Sequence, residues 1–482
     1  MVDAFALDEL HHLVATTPFD TVTTVLRQRA SARPEDAPHL LAVAAWCSVI
    51  RDHLDDAATL AAMSQAAIAG VDTDRRLATI IDSLAMMIDV FRGRRSIDHR
   101  QLDELAGLMR ADVDHELTAM LTTLEPILEI ANWFTFVDRY DDAAWIVDRR
   151  IESLDDADAL GLVSSLCCLA ELDWQRGRWS GANRGLVTAL ATAEAAGHEA
   201  GYAHVLAARV FGARGEWDEC TAGLAAARAS SIRRGDTTTM WRADAVEGFV
   251  ALCRGDHETT VSVLTPLVAR NEQVGSHLAS VRLWDSDLIE ALVRSGHRDD
   301  ARVEIKRLRV ESEMVPSRWI AGVIARCEAM VALDGDDAIQ LAAEAVGNFE
   351  AIGAVFEQGR SELVRAEAHA NGGDPAGATH ASRRARQIFD AIGAAPWSAR
   401  TEPARSPVLR PEPRPVECRD LTEVLTPVER EVVSILLRGG TNQQIAREMC
   451  VSIKTVESHL TRSYRKLGFT SRAELMAALL SR

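Results

Sequence analysis

The chain has 482 residues, 26% of them charged and 5% aromatic, and a formal net charge of −18. That length holds two to four domains and a large core, while eight scattered cysteines without a C-x-x-C pair speak against a disulfide framework or a zinc site. No run approaches 18 apolar residues and the start, MVDAFALDELHHL, lacks the basic-then-apolar order of a secretory signal, so no membrane span and a cytoplasmic location are expected.

Residues 1–395 are rich in Ala, Leu, Arg, Asp and Glu, and alternating β-branched stretches are nearly absent. This predicts helices throughout. Short Gly-polar motifs recur at Gly177, Gly215, Gly255, Gly296, Gly335 and Gly373, with spacings of 38, 40, 41, 39 and 38. Weaker members precede them around Asp55, Gly93 and Tyr140. Each unit reads as an apolar helix, a Gly or Asp turn and an Ala-rich helix. One such hairpin cannot bury its apolar face alone, but stacked hairpins can, giving a curved solenoid. An irregular helical bundle is the other reading. The pattern resembles tetratricopeptide repeats with units longer than the usual 34 residues.

Trp174, Trp179, Trp217 and Trp241 fall in one third of this stretch. They read either as packing wedges between hairpins or as the lining of a concave groove for a peptide, a small molecule or a partner domain. The acidic pairs Asp55–Asp56, Asp141–Asp142 and Asp299–Asp300 sit at repeat turns, where carboxylates are expected to cap helices. Histidines lack ligand spacing, so no metal and no cofactor are expected.

Residues 396–420 contain Pro403, Pro407, Pro411, Pro413 and Pro415. Helices are not expected to cross such a segment, which reads as a tether, or else as a basic docking strip. Beyond it the charge reverses. Residues 421–482 hold nine Lys/Arg against six Asp/Glu, so the acidic charge lies in the body. An acidic body with a basic end suits a sensor joined to a nucleic-acid reader.

That end, 421–482, predicts four short helices. Thr426, Pro427 and Glu429 make a start, and Val428, Val432, Ile435 and Leu436 recur on one face. Gly439 and Gly440 end the helix, and Thr441 with Gln444 starts the next, whose inward face is Ile445, Ala446 and Met449. Cys450 and Val451 make a turn. Ser452 opens a third helix with Val456, Leu460, Tyr464 and Leu467 on one stripe, ended by Gly468. Ser471 and Glu474 open a last helix carrying Leu475, Leu479 and Leu480. Two short helices joined by a tight turn form a helix-turn-helix, whose second helix fits a major groove. On pattern alone a plain helical subdomain is as good a reading.

The run LTPVEREVVSILLRGGTNQQIAREMCVSIKTVESHLTRSYRKLGFTSRAEL resembles the LuxR-type DNA-binding domain, through Thr426, Glu429, Gly440, Asn442, Ile445, Ala446, Val451, Ser452, Thr455, Val456, His459, Leu460, Lys466, Leu467, Gly468, Ser471 and Arg472 among others. The resemblance implies that Glu457, Ser458 and Thr461 read bases. It implies phosphate contacts for Gln444, Lys454, Thr455, Arg462, Arg465, Lys466 and Arg472, with His459 in a packing or phosphate role. It also implies pairing of two copies through Leu475, Leu479 and Leu480. Glu457 stands where many such domains carry a base, and Val428 where a basic residue is usual. An acid at Glu457 accepts from cytosine but opposes phosphates, so modest affinity and dependence on a homodimer are expected.

The phrase FDAIGAAPW at 389–397, ahead of such a module, resembles the end of the repeat region in large ATP-binding LuxR regulators. Their ATPase is not expected here: no G-x-x-x-x-G-K-[ST] occurs and the lysines are Lys306, Lys454 and Lys466. No nucleophile–base pair is found either, so an enzyme is not expected. The sequence thus points to an all-α transcription regulator, an activator, which binds double-stranded DNA and senses a ligand or partner through its solenoid. An adaptor whose main business is protein interaction is the alternative.

Overall fold

The computed structural model describes residues 13–14, 16–68, 75–111, 126–154, 158–276, 284–332, 335–401, 425–437, 441–449, 451, 453, 455–456, 459–460 and 463. Every regular element among them is a helix. After α1 (Phe19–Ala32) the body runs as hairpins: α2 (Ala37–Ile50) with α3 (Leu54–Ile68), α4 (Arg75–Phe91) with α5 (His99–Ala111), α6 (Pro126–Phe136) with α7 (Tyr140–Glu152), α8 (Ala159–Gln175) with α9 (Trp179–Ala196), and α10 (Gly201–Arg214) with α11 (Trp217–Arg234). There follow α12 (Thr237–Arg254) with α13 (His257–Val274), α14 (Asp285–Arg294) with α15 (Arg298–Ser312), α16 (Arg318–Val331) with α17 (Gly335–Ile352), and α18 (Val355–Asn371) with α19 (Pro375–Ile392). The short α20 (Ala395–Arg400) completes the body.

The two helices of a pair differ in sequence because they differ in place. The second helix buries one narrow stripe at three- and four-residue steps: Ala182, Leu186, Ala189 and Ala193 in α9, Ala338, Ala342, Ala345 and Phe349 in α17, Ala381, Ala385 and Phe389 in α19. Its other face meets solvent. The first helix is buried on most sides, as in α10 with Ala203, Val205, Leu206, Ala207, Ala208, Val210 and Ala213. First helices lie against one another, α10 on α12 and α16 on α18, and form the inner layer. Close approach needs a missing side chain in places. A Cβ on Gly322 of α16 would stand 2.8 Å from the Phe349 ring of α17.

The expected glycine series is half of the punctuation. Gly215 takes φ 84°, a left-handed conformation that ends α10 without a Cβ penalty. A second series, Gly197, Gly235, Gly275, Gly353 and Gly393, does the same between hairpins. Gly335, read as a turn, is instead the first residue of α17. The acidic pairs also differ from expectation. Asp141–Asp142 and Asp299–Asp300 lie inside first turns, where the helix dipole favours them. The capping carboxylates include Asp158, Asp236, Asp256 and Asp374, each accepting the backbone N–H three residues on.

The solenoid closes on itself. Arg234 at the end of α11 donates to the carbonyls of Thr17, at 2.6 Å, and Val14. Asp52 pairs with Arg270 and accepts from the Thr237 hydroxyl at 2.7 Å. Ile97 donates its amide to the Met314 carbonyl at 2.9 Å. The other end curls in too. Trp397 of α20 is buried, its indole N–H 3.3 Å from Cys253 Sγ, and Arg400 donates to the Leu252 carbonyl. The body therefore extends through Thr401, past the boundary expected at 395, because Trp397 anchors a helix among α10 and α12.

The chain divides into two compact units between Pro403 and Ala404.

Candidate nucleic-acid interface and solenoid cavity

In the second unit, α21 (Pro427–Leu437) and α22 (Asn442–Glu448) begin as the sequence predicts. At α21 the Thr426 amide donates to Glu429 Oε2 at 2.9 Å, and the Glu429 amide to Thr426 Oγ1 at 3.3 Å. At α22 the same reciprocal pair joins Thr441 and Gln444, at 2.7 and 3.3 Å. Two otherwise orphaned amides are satisfied at each start. Thr441→Ala is expected to cost about 1 kcal/mol, read as a lower melting midpoint of this unit with the solenoid's unchanged.

Val432, Val433, Ile435, Leu436, Ile445, Ala446, Val456 and Leu460 form one buried cluster, with Leu425 at its edge and Met449 packed on it. Val428, expected on the inward face, is 45% exposed. Its place inside is taken by Val433 and by the carboxylate of the buried Glu429, satisfied by the cap. Residues 453, 455–456, 459–460 and 463 are helical, and Ser463 Oγ donates to the His459 carbonyl at 2.9 Å.

Of the expected DNA contacts, Gln444, Thr455 and His459 are described. Gln444 is exposed at the head of α22, its Oε1 held by the cap; Thr455 and His459 are half-buried. The expected base readers Glu457, Ser458 and Thr461 lie outside the described residues. So do Lys454, Arg462, Arg465, Lys466 and Arg472, and the expected dimer residues Leu475, Leu479 and Leu480.

The first unit holds a cavity of about 250 Å³, walled by α1, α2, α8 and the ends of α10 to α13. A smaller one of about 90 Å³ follows it along the inner layer toward α18. Asn132, Tyr202, Trp241 and Arg242 belong to both walls. Trp174 and Trp241, two of the four expected tryptophans, do line this interior. Trp179 instead stacks under Trp174, ring centres 4.6 Å apart, as a wedge. Trp46, Trp284 and Trp319 line it too. Their partners come from distant repeats, so no local spacing marks them.

The polar groups of this interior are set by burial and by arginines. Burial raises the Glu171 carboxyl, but Arg209, Arg242 and the Tyr202 hydroxyl outweigh it and hold it below its usual range. Tyr202 donates to Glu171 at 2.9 Å, and burial keeps its proton on. Guanidiniums cover the rings: Arg242 lies 4.6 Å from the Tyr202 ring centre, Arg209 4.7 Å from Trp174, Arg234 4.5 Å from Phe19. Deeper, Arg360 of α18 pairs with Asp287 at 2.8 Å, Glu290 at 2.7 Å and Glu357 at 3.5 Å.

Residues 423–479 match the family model of bacterial regulatory proteins, luxR family. An HTH-type transcriptional regulator of Mycobacterium tuberculosis is 48% identical over 52 residues, which are 11% of this chain and 6% of that protein. The monoamine regulon transcriptional regulator of Klebsiella aerogenes is 38% identical over 58 residues, 12% of this chain and 26% of its own. The chain thus matches a small part of the length of these relatives. The body is similar in fold to the solved structure of a Rap protein complexed with Competence and Sporulation Factor, with a TM-score of 0.57 over 75% of this chain and 99% of that one at 11% identity.

These findings define a two-part architecture of a tetratricopeptide-like helical-hairpin solenoid and a helix-turn-helix module. The module, at 423–479, is a LuxR-type DNA-binding domain.

Proposed function

We propose that this protein is a sequence-specific DNA-binding transcription regulator, an activator, that works as a homodimer on DNA and takes a regulatory ligand inside its solenoid. The observation that carries the reading is the helix-turn-helix core itself. Two capping boxes and one apolar cluster hold α21, α22 and the third helical stretch together within the matched residues. Such a core presents its third helix for a major groove. In this reading Glu457, Ser458 and Thr461 meet base edges. Gln444, Lys454, Thr455, His459, Arg462, Arg465, Lys466 and Arg472 meet phosphates, which position the module without specifying sequence. Leu475, Leu479 and Leu480 face the second copy, and residues 402–420 tether the two units. The cavity of about 250 Å³ in the solenoid, lined by aromatic and polar side chains, supports the binding of a small regulatory ligand.

Thr461→Ala is expected to change which sequence is preferred. Lys466→Ala is expected to weaken all sequences alike and to lower the salt slope by about one. Competition binding of the full-length variants on a selected site and on random DNA separates the two. Equal losses on both DNAs from both variants contradict the assignment. A full-length chain that sediments on its site as one copy per DNA contradicts the dimer.

A further inference from the structure

We propose that the cavity of about 250 Å³ between the first hairpins and the middle of the solenoid binds an uncharged ring compound that carries a carbonyl or ether oxygen. This deepens the reading of the solenoid as the sensing part, and rests on it for its regulatory meaning but not for the binding itself.

The first observation is how the charges of the wall are used. The wall holds three carboxylates, Asp52, Glu199 and Asp236, and two guanidiniums, Arg234 and Arg242. Each is engaged within the protein. Asp52 pairs with Arg270 and accepts from the Thr237 hydroxyl at 2.7 Å. Glu199 meets Arg233 with both oxygens, at 2.7 Å for Oε2. Asp236 accepts from Thr239 at 2.6 and 2.7 Å and is acted on by Arg242 and Arg234. Arg242 also acts on Glu171, and Arg234 donates to the carbonyls of Thr17 and Val14.

The Asp52 and Arg234 contacts are among those that close the solenoid. A charged ligand has to draw these groups away from their partners, or else sit without a counter-charge. The wall resists the second course. Burial raises the Asp236 carboxyl in spite of Thr239, Arg242 and Arg234, and taking a charge out of water costs far more than taking out a neutral group of the same size. An uncharged ligand fills the space and leaves the closing contacts in place.

The second observation is that the hydrogen-bonding capacity left over is neutral. Trp46 Nε1, Trp241 Nε1 and Asn271 Nδ2 are buried N–H donors on residues of the wall, without an acceptor among the described residues. Buried donors left without an acceptor cost stability. A carbonyl or ether oxygen satisfies such a donor and brings no charge. The third observation is the rest of the lining. Phe19, Leu54, Phe91 and Val163 are apolar, and with the Trp46 and Tyr202 rings they suit a ring-bearing body. A space of this volume holds on the order of 10 to 15 non-hydrogen atoms, judged against a cavity of about 150 Å³ that takes benzene. The wall joins stretches far apart in sequence, 19–54 and 199–276 among them. A ligand touching both adds to the closure, so occupancy is coupled to the shape of the solenoid.

The test is calorimetric titration of the full-length chain, without DNA, with compounds built on one skeleton: the ketone 1-tetralone, its parent hydrocarbon tetralin, the acid tetralin-1-carboxylate and the ammonium compound 1-aminotetralin. The ketone is expected to bind, with the same affinity at low and high salt because no ion pair is made. The hydrocarbon, which lacks the acceptor, is expected to bind about fivefold more weakly, and the acid and the ammonium compound each about tenfold more weakly or less. Trp46→Phe, Trp241→Phe and Asn271→Leu each remove one N–H with little change of shape. At least one of them is expected to weaken the ketone about fivefold and leave the hydrocarbon unchanged. Hydrogen exchange is expected to slow in 16–54 and 234–276 together when the ketone is bound. The proposal is overturned if the ketone does not bind, if the hydrocarbon, the acid or the ammonium compound binds as well as the ketone, or if all three variants keep the parent affinity. The comparison of the four compounds on the parent chain needs no variant to fold. DNA binding is measured apart from this titration, so ketone binding without DNA binding overturns the regulator and leaves the site. DNA binding without ketone binding does the reverse.

Discussion

Replacing Arg360 by methionine is expected to destabilise the solenoid by about 3–5 kcal/mol, the cost of breaking a buried ion pair from one side. Arg360 is 3% exposed and meets three carboxylates, Asp287, Glu290 and Glu357. Two of these keep a second cation when it is lost. Glu290 lies 3.8 Å from Arg294 and 3.7 Å from Arg400, and Glu357 pairs with Arg326. Burial raises the Glu290 carboxyl, yet Arg360, Arg294 and Arg400 outweigh it and hold it at about 2. Asp287 is the weak member. Burial pushes it up to about 6 in spite of Arg360. With Arg360 gone its pKa rises further, and the folded state then binds a proton that the unfolded state has released. Stability of Arg360→Met is therefore expected to fall as pH rises through this range, so the deficit is larger at pH 8 than at pH 5. Urea unfolding followed by circular dichroism at both pH values checks it. Arg302→Ala is the control: its partner Asp299 is 97% exposed, and such pairs contribute under about 1 kcal/mol. A deficit of Arg360→Met no greater than that of Arg302→Ala contradicts the pairing.

Leu460→Ala is expected to unfold the helix-turn-helix module and leave the solenoid intact. Leu460 is 4% exposed in the small cluster with Val432, Leu436, Ile445 and Val456. A buried Leu→Ala change costs roughly 2–5 kcal/mol, and a domain of about 60 residues rarely has more than about 3–5 to lose. The thermal trace of the full-length chain should lose its module transition and keep that of the body, and specific DNA binding should disappear at every salt concentration. Val428→Ala, at a side chain 45% exposed, should stay within about 0.5 kcal/mol of the parent. If Leu460→Ala melts as the parent does, the cluster is not the core of this unit.

What the sequence discloses follows from how far its signals reach. The capping boxes at Thr426–Glu429 and Thr441–Gln444 span three residues and were readable directly, as were the Gly215 and Gly255 turns. Val428 misled because helical spacing alone placed it inside, whereas Val433 on the neighbouring stripe has that place. The acidic pairs misled because caps and first turns differ by one or two residues, within the uncertainty of any helix boundary read from sequence. Interior closure was illegible for a different reason. Arg234 meets Val14 across 220 residues and Arg270 meets Asp52 across 218. No periodicity records contacts of that span. Asp287 and Glu290 of α14 likewise meet Arg360 of α18, which stands 70 residues from Glu290 in the chain. The cavity belongs to this second kind, since its wall joins Trp46 to Trp241 and Asn271 from distant repeats.

The most direct test of the regulator is selection of bound fragments from genomic DNA by the full-length chain at two salt concentrations. A shared palindromic site with half-site centres about 10–11 bp apart, bound more tightly at the lower salt, is the predicted result. Recovery of no common sequence at either concentration would contradict it.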